Sequence, residues 1–239
     1  MTMPSLSDLF DAYALRARVY PALLTLLPLI VAAYCLVDLS SRERLLPLLV
    51  SAGGVYFLAS VVRGWGLAAE ERLIRIWGGW PSTQALRWAS PANSVIRDRR
   101  RVQLERVTGQ TLPTQAEELA DPTASDARYH AAVRQLIVRL RQHPDSFPRV
   151  HDELTQYGFR RNLYGSRPVG VGVCLLTAAW GFSVLIVKGV SPPATIALIV
   201  SAAELALWLL VVNPKWVRQA GDRYAERLME TLEDPLLRT

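Results

Sequence analysis

Cysteine, lysine and histidine are all scarce in this chain of 239 residues. The two cysteines, Cys35 and Cys174, lie inside apolar runs, and neither their number nor their spacing makes a disulfide framework or a metal site. The three histidines, His130, His143 and His151, form neither HExxH nor the HxE…CxxC spacing that zinc requires. There is no G-x-S-x-G elbow, no P-loop and no G-x-G-x-x-G between a strand and a helix. Period-two alternation of any useful length is missing as well, which excludes a sheet. These absences argue against a soluble-type enzyme site, and neither a cofactor nor a metal is expected.

Apolar residues fill the space instead, at 51% of the chain. They concentrate in four runs, at 19–37, 45–62, 169–187 and 194–212. Each is close to the roughly 20 residues that an α-helix needs to cross a hydrocarbon core. Buried helices of soluble proteins carry a polar stripe every three or four residues, whereas these runs hold one acidic or basic side chain, Glu204. The first run is too long for a removed signal peptide and has no small-residue cleavage site before the next. The expected fold is therefore all-α and polytopic, with four transmembrane helices and a helical cytoplasmic insert between the second and third.

Basic residues set the expected orientation. The segments 38–44 and 188–193 hold only Arg42, Arg44 and Lys188, while arginines crowd the opposite ends of the runs. The positive-inside rule then places both termini and the long 63–168 segment in the cytoplasm of a bacterial inner membrane. The same flanks, facing anionic lipid, account for the net charge of +6 without invoking nucleic acid. Five segments follow: an N-terminal amphipathic helix over 1–18, a transmembrane hairpin over 19–63, a cytoplasmic helical domain over 64–168, a second hairpin over 169–212 and a C-terminal amphipathic helix over 213–239.

Local signals divide these segments further. Leu6, Leu9 and Phe10 have helical spacing, with Ser5 or Ser7 as a cap. Gly78 and Gly79 end the cytoplasmic extension of the second span, and Pro81 opens a short helix. Helices are expected over 90–107, 125–143 and 146–165. Ser125 and Asp126 would cap the middle one, and Gly109, Pro113 and Pro122 mark a loop before it that has room for one turn of helix. Gly158 and Gly165 would permit breaks before the third span. Pro28 would kink the first.

Two groups of residues could carry function. Glu204 sits mid-span, where an acidic side chain costs roughly 2.5–3.5 kcal/mol, so it should face protein rather than lipid. Ala197 and Ser201 on its face suit close helix contact, and Thr177 and Tyr56 lie at matching depth as hydrogen-bond partners. The alternative places Glu204 along a pore. The second group is basic: Arg97, Arg99, Arg100 and Arg101 in one cluster, and Arg160, Arg161 and Arg167 before the third span, all able to meet anionic lipid or a partner. Tyr157, Phe159 and Tyr164 would settle at headgroup level.

The sequence thus points to a non-enzymatic inner-membrane module that oligomerises and docks a cytosolic protein through its insert and tail. A gated channel or pore-forming effector, as in a stress or phage-defence system, is the alternative. An enzyme using His151, Asp152 or Glu153 is a third reading, weakened because neighbouring side chains on a helix point about 100° apart. The expected partners are the bilayer, further copies of the chain and a cytosolic protein.

Overall fold

The computed structural model describes residues 12–36, 52–91, 93–143 and 146–237. The expected N-terminal helix falls largely on 1–11 and the outer segment 38–44 falls wholly outside these residues. Every regular element among the described residues is helical. In chain order they are α1 (Ala12–Ala14), a π-helical turn (Leu15–Val19), α2 (Tyr20–Leu36), α3 (Ala52–Trp77), α4 (Pro81–Gln84), α5 (Ser94–Thr108), α6 (Gln115–Ala120), α7 (Pro122–Leu140), α8 (Pro148–Lys188), α9 (Pro192–Leu210) and α10 (Pro214–Glu230). Two short 3-10 turns, Thr231–Glu233 and Pro235–Leu237, follow. Proline opens α4, α7, α8, α9 and α10, where its missing N–H costs nothing because first-turn donors have no helical acceptor.

Three stretches among the described residues are long and apolar enough to cross a membrane: Leu15–Leu36, Pro148–Lys188 and Pro192–Leu210. The expected count was four. The missing run, 45–62, has its first seven residues outside the described set, and its remainder forms the start of α3.

The chain divides into two compact units. The first comprises Met1–Glu71 and Thr155–Val217, and α8 is its spine. α9 runs antiparallel along the second half of α8, pairing Thr177 with Ser201 and Gly170 with Trp208. α2 follows the first half in parallel: the Thr25 hydroxyl donates to Ser166 Oγ at 2.9 Å, and Asn162 Nδ2 donates to the Ala17 carbonyl at 2.6 Å. α9 also packs on α2. α3 crosses α8 where Gly66 and Gly165 let the two backbones meet, for a Cβ on Gly165 would lie 2.5 Å from Gly66 N.

That contact corrects the expected break. α8 is one uninterrupted helix of 41 residues, and its glycines are notches. Gly158 admits Ala17 Cβ and the Tyr13 hydroxyl, each 3.2 Å from where a Cβ would stand. A glycine in a helix weakens it locally by about 1 kcal/mol relative to alanine, and packing at such a notch outweighs that cost.

The second unit comprises Arg72–Leu154 and Arg218–Thr239. Its core joins Leu86, Leu104, Leu112, Tyr129, Val133 and Leu136 to Leu228, Met229, Leu232 and Leu237. The tail, read from sequence as a separate amphipathic helix, therefore folds with the insert, because its apolar stripe completes that core. Gly78 and Gly79 do end α3, with φ of 73° and 130°. The cap of α7 lies earlier than expected: Asp121 accepts from Ala124 N, while Ser125 is buried and Asp126 pairs with Arg87. The expected loop before it contains α6, opened by a reciprocal capping box between Thr114 and Glu117.

Candidate functional site

The α8–α9 hairpin holds the expected intramembrane polar residues. Thr177 Oγ1 and Ser201 Oγ share a hydrogen bond at 2.8 Å, and each hydroxyl also contacts a carbonyl of its own helix, Val173 and Ala197, at 2.8 Å. Such back-bonding satisfies a hydroxyl wherever no water reaches it. Ala197 and Ser201 are both buried, so the small-residue face is occupied by its neighbour.

Glu204 lies one turn further along α9 and is 7% exposed. Neither carboxyl oxygen has a hydrogen-bond partner among the described residues, and the same holds for Trp208 Nε1, the next turn on. The Trp208 ring is seated where Gly170 has no side chain; a Cβ there would stand 2.4 Å from the indole. Neither expected partner serves Glu204. The Thr177 hydroxyl is committed to Ser201 and to its own backbone, and Tyr56 is 63% exposed. The carboxyl is thus enclosed within one chain.

The basic cluster of α5 is largely spent on structure. Arg101, 6% exposed, donates to the Leu86 carbonyl at 2.6 Å, to the Tyr129 hydroxyl at 2.7 Å and to the Pro113 carbonyl. Its guanidinium is 4.3 Å from the Trp88 ring centroid and 5.2 Å from that of Tyr129, so the planar cation is enclosed by π faces. Tyr129 in turn donates to Glu118 at 2.6 Å. Burial, with the Glu118 hydrogen bond, pushes the Tyr129 hydroxyl up to about 12. Trp88 belongs to this cage.

Arg97 lies over the same Trp88 ring, 5.0 Å from its centroid, while the remaining arginines of the cluster point elsewhere. Arg100 makes a bidentate pair with Glu226 at 2.6 and 3.1 Å, and that hydrogen bonding holds the Glu226 carboxyl below the usual range. Arg97 donates to the Trp88 carbonyl at 2.7 Å and pairs with Asp98. Arg99 is open to solvent, 3.7 Å from Glu233.

A third group was only half legible. Glu70, buried on α3, accepts from Tyr157 Oη at 2.8 Å and from Arg161 at 3.0 Å. Arg161 also donates to Asn162 Oδ1, whose amide holds the Ala17 carbonyl in the π turn. A π turn reassigns backbone bonds from i−4 to i−5 and leaves an acceptor in need of an outside donor. Arg160 donates to the Trp216 carbonyl at 2.9 Å and stacks on that ring. Tyr157 is thus buried against Glu70. Arg167 is half-buried and remains the basic residue of this segment nearest the apolar half of α8.

His151 and Asp152 are exposed and Glu153 is half-buried on the first turns of α8, an ordinary helix face. His130 stacks on Trp80 with ring centroids 5.8 Å apart, and burial followed by the charge of Arg134 lowers its pKa.

The described residues are all-helical in their regular elements and include three helices long and apolar enough to cross a membrane. No family model, curated protein or solved structure matches the chain, so function is argued from its own residues.

Proposed function

We propose that this protein is a non-enzymatic inner-membrane module of four spans, with both termini cytoplasmic, that oligomerises and docks a cytosolic protein through its helical insert and tail. One observation supports docking above all: the second unit has its own core yet leaves apolar side chains beside arginines on its outer helix faces. On α5, Val95 and Val102 are 74% and 46% exposed, and Arg99 and Arg106 fall between and beyond them at i, i+4, i+7 and i+11. On α7, Val138 is 53% exposed, between exposed Arg134 and Arg141. Apolar anchors rimmed by arginine are the composition of protein interfaces rather than of solvated faces. The partner that fits is an acidic, amphipathic helix.

The test is photo-crosslinking in native membranes from a reactive side chain at position 102 or 138. A discrete adduct that fades in Arg106→Glu or Arg134→Glu supports the module, and the absence of any adduct from either position overturns it. Native mass spectrometry in lipid discs reads the oligomer; a monomer there removes that part of the proposal. The pore reading predicts ion flux in liposomes that disappears in Glu204→Gln. The enclosed carboxyl disfavours it, because a residue sealed within one chain does not line a path between copies.

A further inference from the structure

A groove of about 460 Å³ runs along the outer face of α2, lined by Tyr20, Leu23, Leu24, Leu27, Ile30 and Phe159. Its lining offers no side-chain hydrogen bond except through the Tyr20 hydroxyl. Tyr20, Leu23 and Leu27 are each about two-fifths exposed, so the groove is open along its length. An extended peptide laid in it would bring backbone N–H and C=O groups with nothing to meet them, whereas a hydrocarbon chain brings none. Its volume falls in the range of ligand sites, roughly 300–1,000 Å³.

The chain is charged one turn before Tyr20, the first residue of that lining. Arg16 is exposed, and no ion pair engages it among the described residues. It lies in the π turn Leu15–Val19, four residues before Tyr20, a spacing that puts both on one side of the helix. Arg18 is held nearby, with its guanidinium 5.6 Å from the Tyr13 ring centroid. An apolar trough with a guanidinium one turn before its first residue matches a molecule with an acyl chain and an anionic head, and arginine meets phosphate oxygens in bidentate geometry.

We propose that this groove binds one acyl chain of an anionic phospholipid, with Arg16 on its phosphate. The inference rests on the membrane reading above and goes beyond it by naming a site and a ligand class. The test uses the full chain in lipid discs of phosphatidylcholine that contain phosphatidylglycerol with a photoreactive acyl chain. Adducts mapped by mass spectrometry should concentrate on the peptides carrying Tyr20–Ile30 and Phe159. Arg16→Gln should reduce them severalfold while leaving adducts on α9 unchanged, and a photoreactive phosphatidylcholine, whose choline offsets its phosphate charge, should respond clearly less to that substitution; an equal response of the two lipids would overturn the preference for an anionic head. Leu27→Trp, which fills the trough, should reduce adducts from both probes. Even labelling around α2, α8 and α9 would overturn the site, as would indifference to Arg16→Gln or a crosslink within the chain in place of the lipid. A chain that fails to enter the discs would instead remove the membrane reading itself, an outcome distinct from all of these.

Discussion

Arg101 shows how one side chain can organise a small helical unit. Its guanidinium gathers two carbonyls and a hydroxyl from Leu86, Pro113 and Tyr129, which come from three separate stretches of chain. Arg101→Met would leave those acceptors buried and unmet, a loss of about 1–3 kcal/mol for a group left without its donor. Arg101→Lys should recover little of it, because an ammonium cannot span the same acceptors or lie flat between two rings. Thermal unfolding followed by tryptophan fluorescence measures both variants. Tyr129 adds a pH signature. Its hydroxyl, at an ordinary value of 10.0, is pushed up to about 12 in the folded protein, so the unfolded chain releases that proton first. Stability should therefore be intact below the ordinary tyrosine value and fall as pH rises through that window. Tyr129→Phe should flatten that part of the profile, and an unchanged alkaline slope would contradict the assignment.

Helix contacts in the first unit depend on where side chains are missing. A Cβ on Gly66 would stand 2.0 Å from Asn162 Oδ1 and 2.9 Å from its Cα, and one on Gly165 would press on the backbone of Trp65 and Gly66. Gly66→Ala and Gly165→Ala should each destabilise by about 1–3 kcal/mol through overpacking. Gly172 meets nothing within 4 Å, so Gly172→Ala should be neutral or stabilise by up to about 1 kcal/mol through helix propensity. Thermal shift in detergent separates the three. In the second unit, Thr114→Ala removes the capping box of α6 and should cost about 1 kcal/mol. That helix was readable in advance, since Thr114 and Glu117 have the S/T-x-x-E spacing, but Pro113 and Pro122 drew the segment toward a loop.

At the scale of the molecule, the unit built from Arg72–Leu154 needs Arg218–Thr239 to close its core. A chain ending at Val217 should lose protease resistance across 72–154, because Leu228, Met229 and Leu232 no longer cover Leu104, Tyr129 and Leu136. The α8–α9 hairpin from Thr155 onward should stay resistant, because that part of it belongs to the first unit. Protection of both regions in the truncated chain would show that the tail is dispensable.

Hydropathy and helix punctuation, by themselves, determined the all-α class, the long apolar helices, the glycine stop after Trp77 and the burial of Glu204. Each is a local or compositional property, written in consecutive residues and in the cost of exposing polar groups to an apolar medium. Only tertiary structure decided what each polar residue meets. Arg101 looked like part of a basic cluster that meets lipid or a partner and is a buried crosspiece; Gly158 and Gly165 looked like breaks and are notches, one for Tyr13 and Ala17 and the other for α3; Tyr56 shares Glu204's depth in the sequence and is exposed. Pairing over such distances depends on which helix faces come together, and one strand of sequence does not encode that in any fixed spacing. The trough on α2 belongs to the same class, since Phe159 closes it from a helix more than a hundred residues away.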